Sequence, residues 1–265
     1  YNYPIIETHC HLDYLKSKSI ADILDDATAV GIERIVTIAV SATNLDAALA
    51  CTKSPQVWAT QGIHPHDADE FTDCIAQKIR ANAAHERVVA IGEIGLDYFY
   101  DHSDRQCQRA AFEQQLAIAA ELNLPVVIHT RDADDDTLAI LQNASKHLKH
   151  KGVIHSFTST IALAEFCIAE GFMLGFNGIA TFNKAENVRD VIRMTPLQHI
   201  VLETDAPFLT PVPYRGKENA PCYLPFIAAK VADVKLASVH TVLEACYENS
   251  MRLFFSKEAT SHLHG

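Results

Sequence analysis

Eight short apolar runs recur along the 265-residue chain, and helical stretches separate most of them. Several runs are almost continuously hydrophobic, as in residues 34–40 (RIVTIAV) and 125–129 (PVVIH). This is typical of strands buried on both faces of a parallel sheet. The predicted strands cover residues 4–9, 34–40, 57–64, 88–95, 124–130, 152–157, 172–179 and 199–204.

Helices are predicted between and after these strands, over residues 105–122, 133–148, 161–170, 188–194, 223–234 and 238–255. Eight strand–helix units in about 250 residues match the size of a (β/α)8 barrel, the TIM-barrel form of the α/β class. A doubly wound sheet is the alternative. No G-x-G-x-x-G or P-loop sequence follows a strand, which argues against the nucleotide-binding versions of that fold.

The pattern runs from end to end without an internal repeat, a low-complexity tract or a linker, so we predict a single domain over residues 1–265. The one shift in composition is at residues 207–225, which hold five of the 10 prolines. This segment follows the last predicted strand, and barrel active sites lie at the carboxyl ends of the strands. We therefore expect it to be a long, semi-rigid loop over the active face.

Charge and cysteine content limit the class of function. The net charge of -11 disfavours broad, sequence-independent binding to duplex nucleic acid, but it does not exclude an enzyme whose positive charge is local. The 7 cysteines include no Cys-x-x-Cys pair, which favours reduced thiols and a cytoplasmic protein. No apolar run approaches transmembrane length, so no membrane partner is predicted, and no obligate protein partner is evident.

Two histidines end the first predicted strand, in the segment 7–13 (ETHCHLD). Side chains two residues apart on a strand point the same way, so His9 and His11 can grip one metal ion. Four later apolar runs also end in residues that bind metals, namely Glu93, His129, His155 and Asp205. This mixed nitrogen and oxygen shell suits Zn, Mn or a similar divalent ion, and the number of ligands predicts two ions that share a carboxylate. Two such ions about 4 Å apart can activate a water and polarise the group it attacks.

Polar residues beside these candidate ligands are expected to face the same barrel mouth. Arg131 is either a clamp for an anionic substrate oxygen or a surface arginine paired with Asp132, Asp134, Asp135 or Asp136. Glu203 either orients a ligand or contacts substrate, or it forms a structural charge pair.

Two further histidines end the third predicted strand. His64 is predicted to be a substrate contact or proton donor, the alternative being a turn histidine held by Pro65. For His66 the turn role is the favoured interpretation.

With these residues in place, the chain resembles the TatD family of metal-dependent deoxyribonucleases, within the amidohydrolase-like barrels, over about residues 4–255. The resemblance rests on the segments 7–13 (ETHCHLD), 62–66 (GIHPH), 92–98 (GEIGLDY), 125–131 (PVVIHTR), 153–157 (VIHSF), 202–207 (LETDAP) and 215–219 (RGKEN). The chain departs from the family at Glu7, where Asp is usual, and at Ile200, where Leu is more common. Neither position is a predicted ligand.

The resemblance implies a two-metal site. One ion would bind His9, His11, Glu93 and Asp205, and the other Glu93, His129 and His155. His64, Arg131 and Glu203 would lie in the substrate site, and Arg215 in the proline-rich segment is also predicted to bind substrate. Family members cleave phosphodiesters, often as 3′-to-5′ exonucleases on single-stranded DNA, and are typically cytoplasmic. Family usage favours Mg, whereas the histidine-rich shell by itself points to Zn or Mn.

The chain is therefore predicted to be a divalent-metal-dependent hydrolase of phosphodiester bonds, a 3′-to-5′ exodeoxyribonuclease on single-stranded DNA ends. Asp205 is expected to accept the proton of the attacking water, with Glu93 and His64 as the other catalytic residues. The alternative is a hydrolase of a small ester, a lactone, a cyclic amide or an aminoacyl ester on tRNA, because the fold and metals do not fix the bond cleaved. A third hypothesis is a binding or scaffold protein that a metal stabilises and that catalyses no reaction. A bound metal with no open coordination position would favour this hypothesis.

Overall fold

A computed structural model describes residues 3–256 and residue 258. Its strands are β1 (Ile5–Cys10), β2 (Ile32–Thr37), β3 (Val57–Gln61), β4 (Val88–Asp97), β5 (Val126–Arg131), β6 (Gly152–Ile154), β7 (Met173–Phe176) and β8 (Ile200–Leu202). They form one sheet in sequence order, and each strand pairs with the next in parallel. Thr8 Oγ1 donates a 2.8 Å hydrogen bond to Leu202 O, where β1 meets β8. The predicted (β/α)8 TIM barrel is confirmed.

The helices are α1 (Ile20–Ala29), α2 (Leu45–Ala50), α3 (Asp73–Ala83), α4 (Arg105–Leu122), α5 (Asp134–Ala144), α6 (Ile161–Glu170), α7 (Glu186–Met194), α8 (Leu224–Lys235) and α9 (Val239–Phe254). The predicted bounds of α4 and α6 agree with the structure, whereas the sequence analysis assigned no bounds to α1, α2 and α3. Ser or Thr hydroxyls accept amide hydrogens at the starts of α1, α3, α6 and α9, which satisfies donors that have no partner within the helix. Within residues 3–256, no helix is long and apolar enough to cross a membrane.

The apolar core has two layers, one on each side of the barrel wall. Outside the wall, side chains such as Phe112 of α4 and Ile128 of β5 pack between strands and helices. Inside it, a valine-rich cluster that includes Phe255 fills the barrel, and Trp58 packs against this cluster. The interior valines are Val36, Val89, Val127, Val153 and Val201. The barrel is therefore a packed apolar plug, and polar side chains collect at the mouth, beyond the carboxyl ends of the strands.

The strands β6 and β8 end earlier than predicted. The strand predicted over residues 152–157 ends at Ile154, and the one predicted over residues 199–204 ends at Leu202. Ser156 and Asp205 have φ angles of 47° and 59°, which lie outside the strand region. The candidate site residues that follow β6 and β8 thus lie in turns, where side chains point into the mouth.

The proline-rich segment follows β8 and runs beside the mouth, as predicted, although α8 already begins at Leu224. Asn219, which is fully buried, donates from Nδ2 to Thr204 O at 2.8 Å and to Phe208 O at 2.7 Å. Lys16 N donates to Glu218 Oε1 at 2.7 Å. These bonds fix the loop to the barrel rim.

Gly95→Ala should destabilise the fold by about 3 kcal/mol or more. Gly95 has φ of +143°, and a Cβ there would lie 1.8 Å from His129 O, inside the β4–β5 ladder. The free energy of unfolding in urea measures the effect.

Gly216→Ala is the matched control, since its φ is +91° but a Cβ would meet nothing within 4 Å. It should cost only about 1 kcal/mol, the backbone term alone. Equal losses in the two variants would contradict the close approach of β4 and β5.

Candidate metal centre

β1 and the turn after β8 bring three candidate ligands together. Asp205 N donates to His9 O at 2.8 Å, and His11 N donates to Ala206 O at 2.8 Å. His9 Nε2 lies 3.3 Å from Asp205 Oδ1, and His11 Nε2 lies 3.3 Å from the same oxygen. The structure therefore places His9 and His11 on one face, as their spacing predicts, and adds Asp205 to them.

Glu93 of β4 lies at the centre of the cluster, with 2% of its surface exposed. Its Oε1 is 3.3 Å from His9 Nε2 and 4.0 Å from His11 Nε2. Its Oε2 faces three other imidazole nitrogens: His155 Nε2 at 2.9 Å, His64 Nε2 at 3.2 Å and His129 Nδ1 at 3.2 Å. The two oxygens of one buried carboxylate thus face two separate groups of histidines.

Three of the imidazoles have their other nitrogen held by an acceptor. The pairs are His11 Nδ1 with Ile38 O at 3.3 Å, His129 Nε2 with Asp97 Oδ2 at 2.8 Å, and His155 Nδ1 with Glu203 Oε2 at 3.2 Å. In a neutral ring, an acceptor beside one nitrogen places the proton there and leaves the lone pair on the other. When it is neutral, each ring therefore turns an unprotonated nitrogen toward the carboxylates, as a metal ligand must.

His64 has the opposite arrangement. Its Nδ1 accepts the amide hydrogen of His66 at 3.0 Å, so the proton of the neutral ring lies on Nε2, the nitrogen facing Glu93. Burial lowers the pKa of His64 to about 4, which keeps the ring neutral at pH 7. His64 is thus built to donate a hydrogen bond rather than to bind a metal.

Asp97 is a functional candidate that the sequence analysis missed. It is 1% exposed, and its Oδ2 lies near both His129 Nε2 and His66 Nε2, at 2.8 Å and 3.2 Å. Burial raises its pKa, but the bonds from these histidines outweigh that effect and hold the pKa well below its usual range. Its position in the segment 92–98, which carries part of the family resemblance, could have identified it as a candidate. β4 extends to Asp97 instead of ending at Gly95 as predicted.

His66 lies in the turn that Pro65 begins, as predicted, but its ring also lines the cavity above the cluster. About a third of its side-chain surface is exposed, and its Nε2 contacts the same Asp97 oxygen as His129 does. His66 is therefore both a turn residue and part of the cavity wall.

Glu203 is fully buried and holds His155 from below the cavity. Its Oε1 accepts from Ser156 N at 3.2 Å, and its Oε2 accepts from Asn177 Nδ2 at 3.1 Å and faces His155 Nδ1. A Cβ on Gly175 would lie 2.1 Å from its Oε1, so the glycine makes room for the carboxylate. Of the readings left open for Glu203, this geometry favours orienting a ligand.

Glu7 holds the two ends of the barrel seam together. Its Oε1 accepts from Thr204 N at 2.9 Å and from His9 N at 3.2 Å. Burial raises the pKa of Glu7 to about 8, although the bonds from Thr204 lower it. Glu7, where the family usually has Asp, thus contacts the backbone of His9 and of Thr204.

The donor set fits divalent metal ions. His9 Nδ1, His9 Nε2 and His155 Nε2 are buried but have no hydrogen-bond partner, although Nε2 of each ring lies close to a carboxylate oxygen. Among the residues that the structure describes, ligand atoms within 4.8 Å of one another form three sets: His9, His11 and Glu93; His64, Glu93 and His129; and His9, His155 and Glu203. Buried nitrogens that lie near oxygens without bonding them are what a shared cation requires.

The carboxylates of the cluster are ionised. Burial raises the pKa of Glu93, but the imidazoles of His155, His64 and His129 outweigh it and hold the pKa well below its usual range. Burial likewise opposes ionisation of Asp205, and the nearby His11 and His9 imidazoles lower its pKa. Both groups are therefore negative at neutral pH, as ligands must be.

The cavity above the cluster has a volume of about 690 Å³. Arg131 lies on its wall with Cζ 3.9 Å from the ring centroid of Phe99, and within residues 3–256 its guanidinium forms no ion pair with the acids that follow it. Arg215 stacks in the same way, 3.8 Å above Phe182. Both predicted substrate-binding arginines thus lie beside the mouth, stacked on aromatic rings and not neutralised by carboxylates.

This fold and site define a metal-dependent hydrolase built on a (β/α)8 barrel. A family model described as TatD related DNase matches residues 6–255, and the chain belongs to this family. The uncharacterized metal-dependent hydrolase YabD of Bacillus subtilis (strain 168) is 35% identical over 252 residues, which span 94% of this chain and 98% of YabD.

Two further similarities are informative. The 3′-5′ ssDNA/RNA exonuclease TatD of Erwinia tasmaniensis is 38% identical over 202 residues, 74% of this chain and 78% of that protein. The crystal structure of YJJV, a TatD homolog from Escherichia coli k12, superposes with a TM-score of 0.88 at 29% identity, covering 94% of this chain and 97% of YJJV.

The metal-free protein should lose stability as the pH rises from about 6.5 to about 9. Burial and the His155 imidazole lower the pKa of His9, but Asp205 and Glu93 raise it to about 9, and the pKa of Glu7 is about 8. Both values exceed those of the unfolded chain, so the folded protein binds more protons in this range and deprotonation favours unfolding. Urea unfolding of the chelated protein across the range measures the change.

The matched variant is Glu7→Gln, which stays neutral at every pH and should show a shallower decline than the unchanged chain. A free energy of unfolding that is constant or increases with pH in both proteins contradicts the proton binding assigned to His9 and Glu7.

Proposed function

We propose that this chain hydrolyses phosphodiester bonds, as a 3′-to-5′ exonuclease on the ends of single-stranded DNA. The observation that carries the proposal is the placement of Glu93, whose two oxygens face separate groups of histidines under an open cavity. That arrangement suits two cations sharing one carboxylate. The relative from Erwinia tasmaniensis, whose name specifies a 3′-5′ ssDNA/RNA exonuclease, supports the choice of substrate.

The proposed ligands divide between the two oxygens of Glu93. One ion would be held by His9, His11, Glu93 and Asp205, and the other by Glu93, His129 and His155. The tautomers set by Asp97, Glu203 and Ile38 O support this assignment. Mg, Mn and Zn are the candidate metals. When bound, such ions lower the pKa of water and stabilise charge on phosphate oxygens.

Asp205 is the proposed proton acceptor. It is ionised at neutral pH and is more exposed than the other carboxylate of the cluster, at 14% against 3% for the side chain of Glu93. It also lines the cavity, so a water there is within its reach. General base catalysis needs this combination of an ionised group and access to the nucleophile.

His64 is the proposed hydrogen-bond donor to substrate. Its Nε2 carries the proton and lines the same cavity, while its Nδ1 is occupied by the amide of His66. A neutral imidazole with a fixed tautomer can donate to a phosphate oxygen or to the leaving group. Arg131 and Arg215 are proposed to bind phosphates, since their guanidinium groups are exposed at the mouth.

Three predictions from the sequence have no test in the structure: a single catalytic domain over residues 1–265, a cytoplasmic location, and function without an obligate protein partner. They stay predictions.

Metal-dependent degradation of 5′-labelled single-stranded DNA should appear as a ladder that shortens from the 3′ end. Chelator-stripped protein is supplied in turn with Mg, Mn or Zn. Glu93→Ala removes the shared carboxylate and should lower the rate by about 100-fold or more. Glu165→Ala, an exposed glutamate on α6, is the matched control and should retain full activity. Full activity of Glu93→Ala, or a ladder independent of metal, would refute the assignment.

Removing the arginines should separate a phosphodiesterase from a hydrolase of neutral esters or amides. Arg131→Ala and Arg215→Ala should each lower kcat/KM on DNA by about 10- to 100-fold, because each deletes a charge-assisted contact. Turnover of a small uncharged lactone should be unaffected. Arg80→Ala, an exposed arginine paired with Glu121 outside the mouth, serves as the control. DNA turnover that ignores both arginines, together with efficient lactone hydrolysis, would favour the alternative function.

A further inference from the structure

Three aromatic side chains at the barrel mouth are about half exposed: Phe99 at 53%, Tyr100 at 49% and Phe208 at 51%. Tyr100 and Phe208 line the cavity above the metal centre, and Phe99 packs against Tyr100 with 4.8 Å between ring centroids. Large aromatic rings gain stability from burial, so clustered exposed rings beside a reactive site indicate a ligand.

Backbone hydrogen bonds connect all three aromatic residues to residues of the candidate metal centre. Phe99 N and Tyr100 N donate to Asp97 Oδ1 at 3.1 Å and 2.9 Å, while the other oxygen of Asp97 holds His129. Across the mouth, Phe208 N donates to Asp205 O at 2.9 Å. The rings are therefore held in a defined position relative to the reacting centre.

The two aromatic sites lie on opposite sides of the mouth. Tyr100 follows β4 and Phe208 follows β8, four strands apart in a barrel of eight. The ring of Phe208 is 5.9 Å from that of His11, and the ring of Tyr100 is 5.4 Å from that of His66. An aromatic ring thus lies on either side of the candidate metal centre, and the Tyr100 ring also stacks with His102 at 5.3 Å between centroids.

Each aromatic site also carries an exposed guanidinium. Arg131 lies 3.9 Å above Phe99 and 5.0 Å from the Tyr100 centroid, and Arg215 lies 3.8 Å above Phe182, which lines the same cavity as Phe208. Within residues 3–256, neither guanidinium is paired with a carboxylate. Flat apolar rings next to free cations are complementary to a chain in which flat bases alternate with anionic phosphates.

We propose that Tyr100, supported by Phe99, and Phe208 are base-stacking platforms on either side of the metal centre. The ligand class is a single-stranded polynucleotide, with one base stacked on each platform and flanking phosphates on Arg131 and Arg215. The inference rests on the proposed function and adds recognition of bases to it. A paired duplex cannot use the platforms because its bases are stacked on one another, and every base fits because each has a π-face.

The test compares two single-stranded oligonucleotides of identical length and charge. One carries ordinary bases throughout, and the other has abasic residues at its last two 3′ positions. Metal-loaded protein is assayed with both, as the unchanged chain and as Tyr100→Ala, Phe208→Ala, Tyr100→Phe and Phe208→Trp. Phe226→Ala is the matched control, because Phe226 is an exposed aromatic on α8 that does not line the cavity.

Each alanine variant at a platform should raise KM for the base-bearing strand about tenfold and leave KM for the abasic strand unchanged. Tyr100→Phe and Phe208→Trp keep a ring and should keep the low KM, as should Phe226→Ala. Equal effects on the two strands, or no effect on either, overturn the proposal.

A binding measurement separates this inference from the proposed function. Fluorescence anisotropy with phosphorothioate versions of the two strands should show about tenfold tighter binding of the base-bearing strand to the unchanged chain. If no oligonucleotide is cleaved but this difference is present and disappears in Tyr100→Ala, the exonuclease assignment fails and the platforms stand. If the strands are cleaved but bind equally, the platforms fail and the exonuclease assignment stands.

Discussion

The site depends on one buried carboxylate. Glu93 is 2% exposed and has nitrogens of five imidazoles, carried by four strands or strand ends, within 4.0 Å of its oxygens. An isolated carboxylate in such a place would take up a proton to avoid the cost of burying charge. The surrounding histidines reverse this and keep Glu93 ionised. Without metal, the raised pKa values of His9 and His155 favour protons on these two rings, which a bound cation would displace.

Around this carboxylate, a second layer of acceptors decides what each histidine can do. Asp97 and Glu203 hold the outer nitrogens of His129 and His155, so that in the neutral rings a lone pair is directed toward Glu93. At His64 the partner is a backbone donor, so the proton faces inward. The same side chain type is therefore suited to bind a metal or to donate a hydrogen bond according to one contact on its far side. This is why residues that offer no ligand atom, such as Gly175, which makes room for Glu203, matter to the candidate metal centre.

Two arginines provide local positive charge at the mouth of an acidic protein. The chain carries a net charge of -11, yet the proposed substrate is an anion. Arg131 and Arg215 can attract an anion at the mouth, because each is stacked on an aromatic ring and is not paired with a neighbouring acid. Stacking positions the guanidinium while leaving its donors free. The proline-rich loop, fixed to the rim by Asn219, carries Arg215 and holds it near Phe182.

The sequence by itself determined the barrel and the types of the candidate ligands. Continuous apolar runs specify buried parallel strands, and residues such as His9, His129 and Asp205 are visible at their ends because the period of a strand is local. Tertiary structure alone decided which atoms meet. Asp97 was missed because its role comes from His129, 32 residues away, and the tautomer of His64 depends on a turn. Whether Arg131 pairs with acids or stacks on Phe99 likewise depends on where two neighbouring strands end. Such contacts join residues distant in sequence, and local pattern carries no information about them.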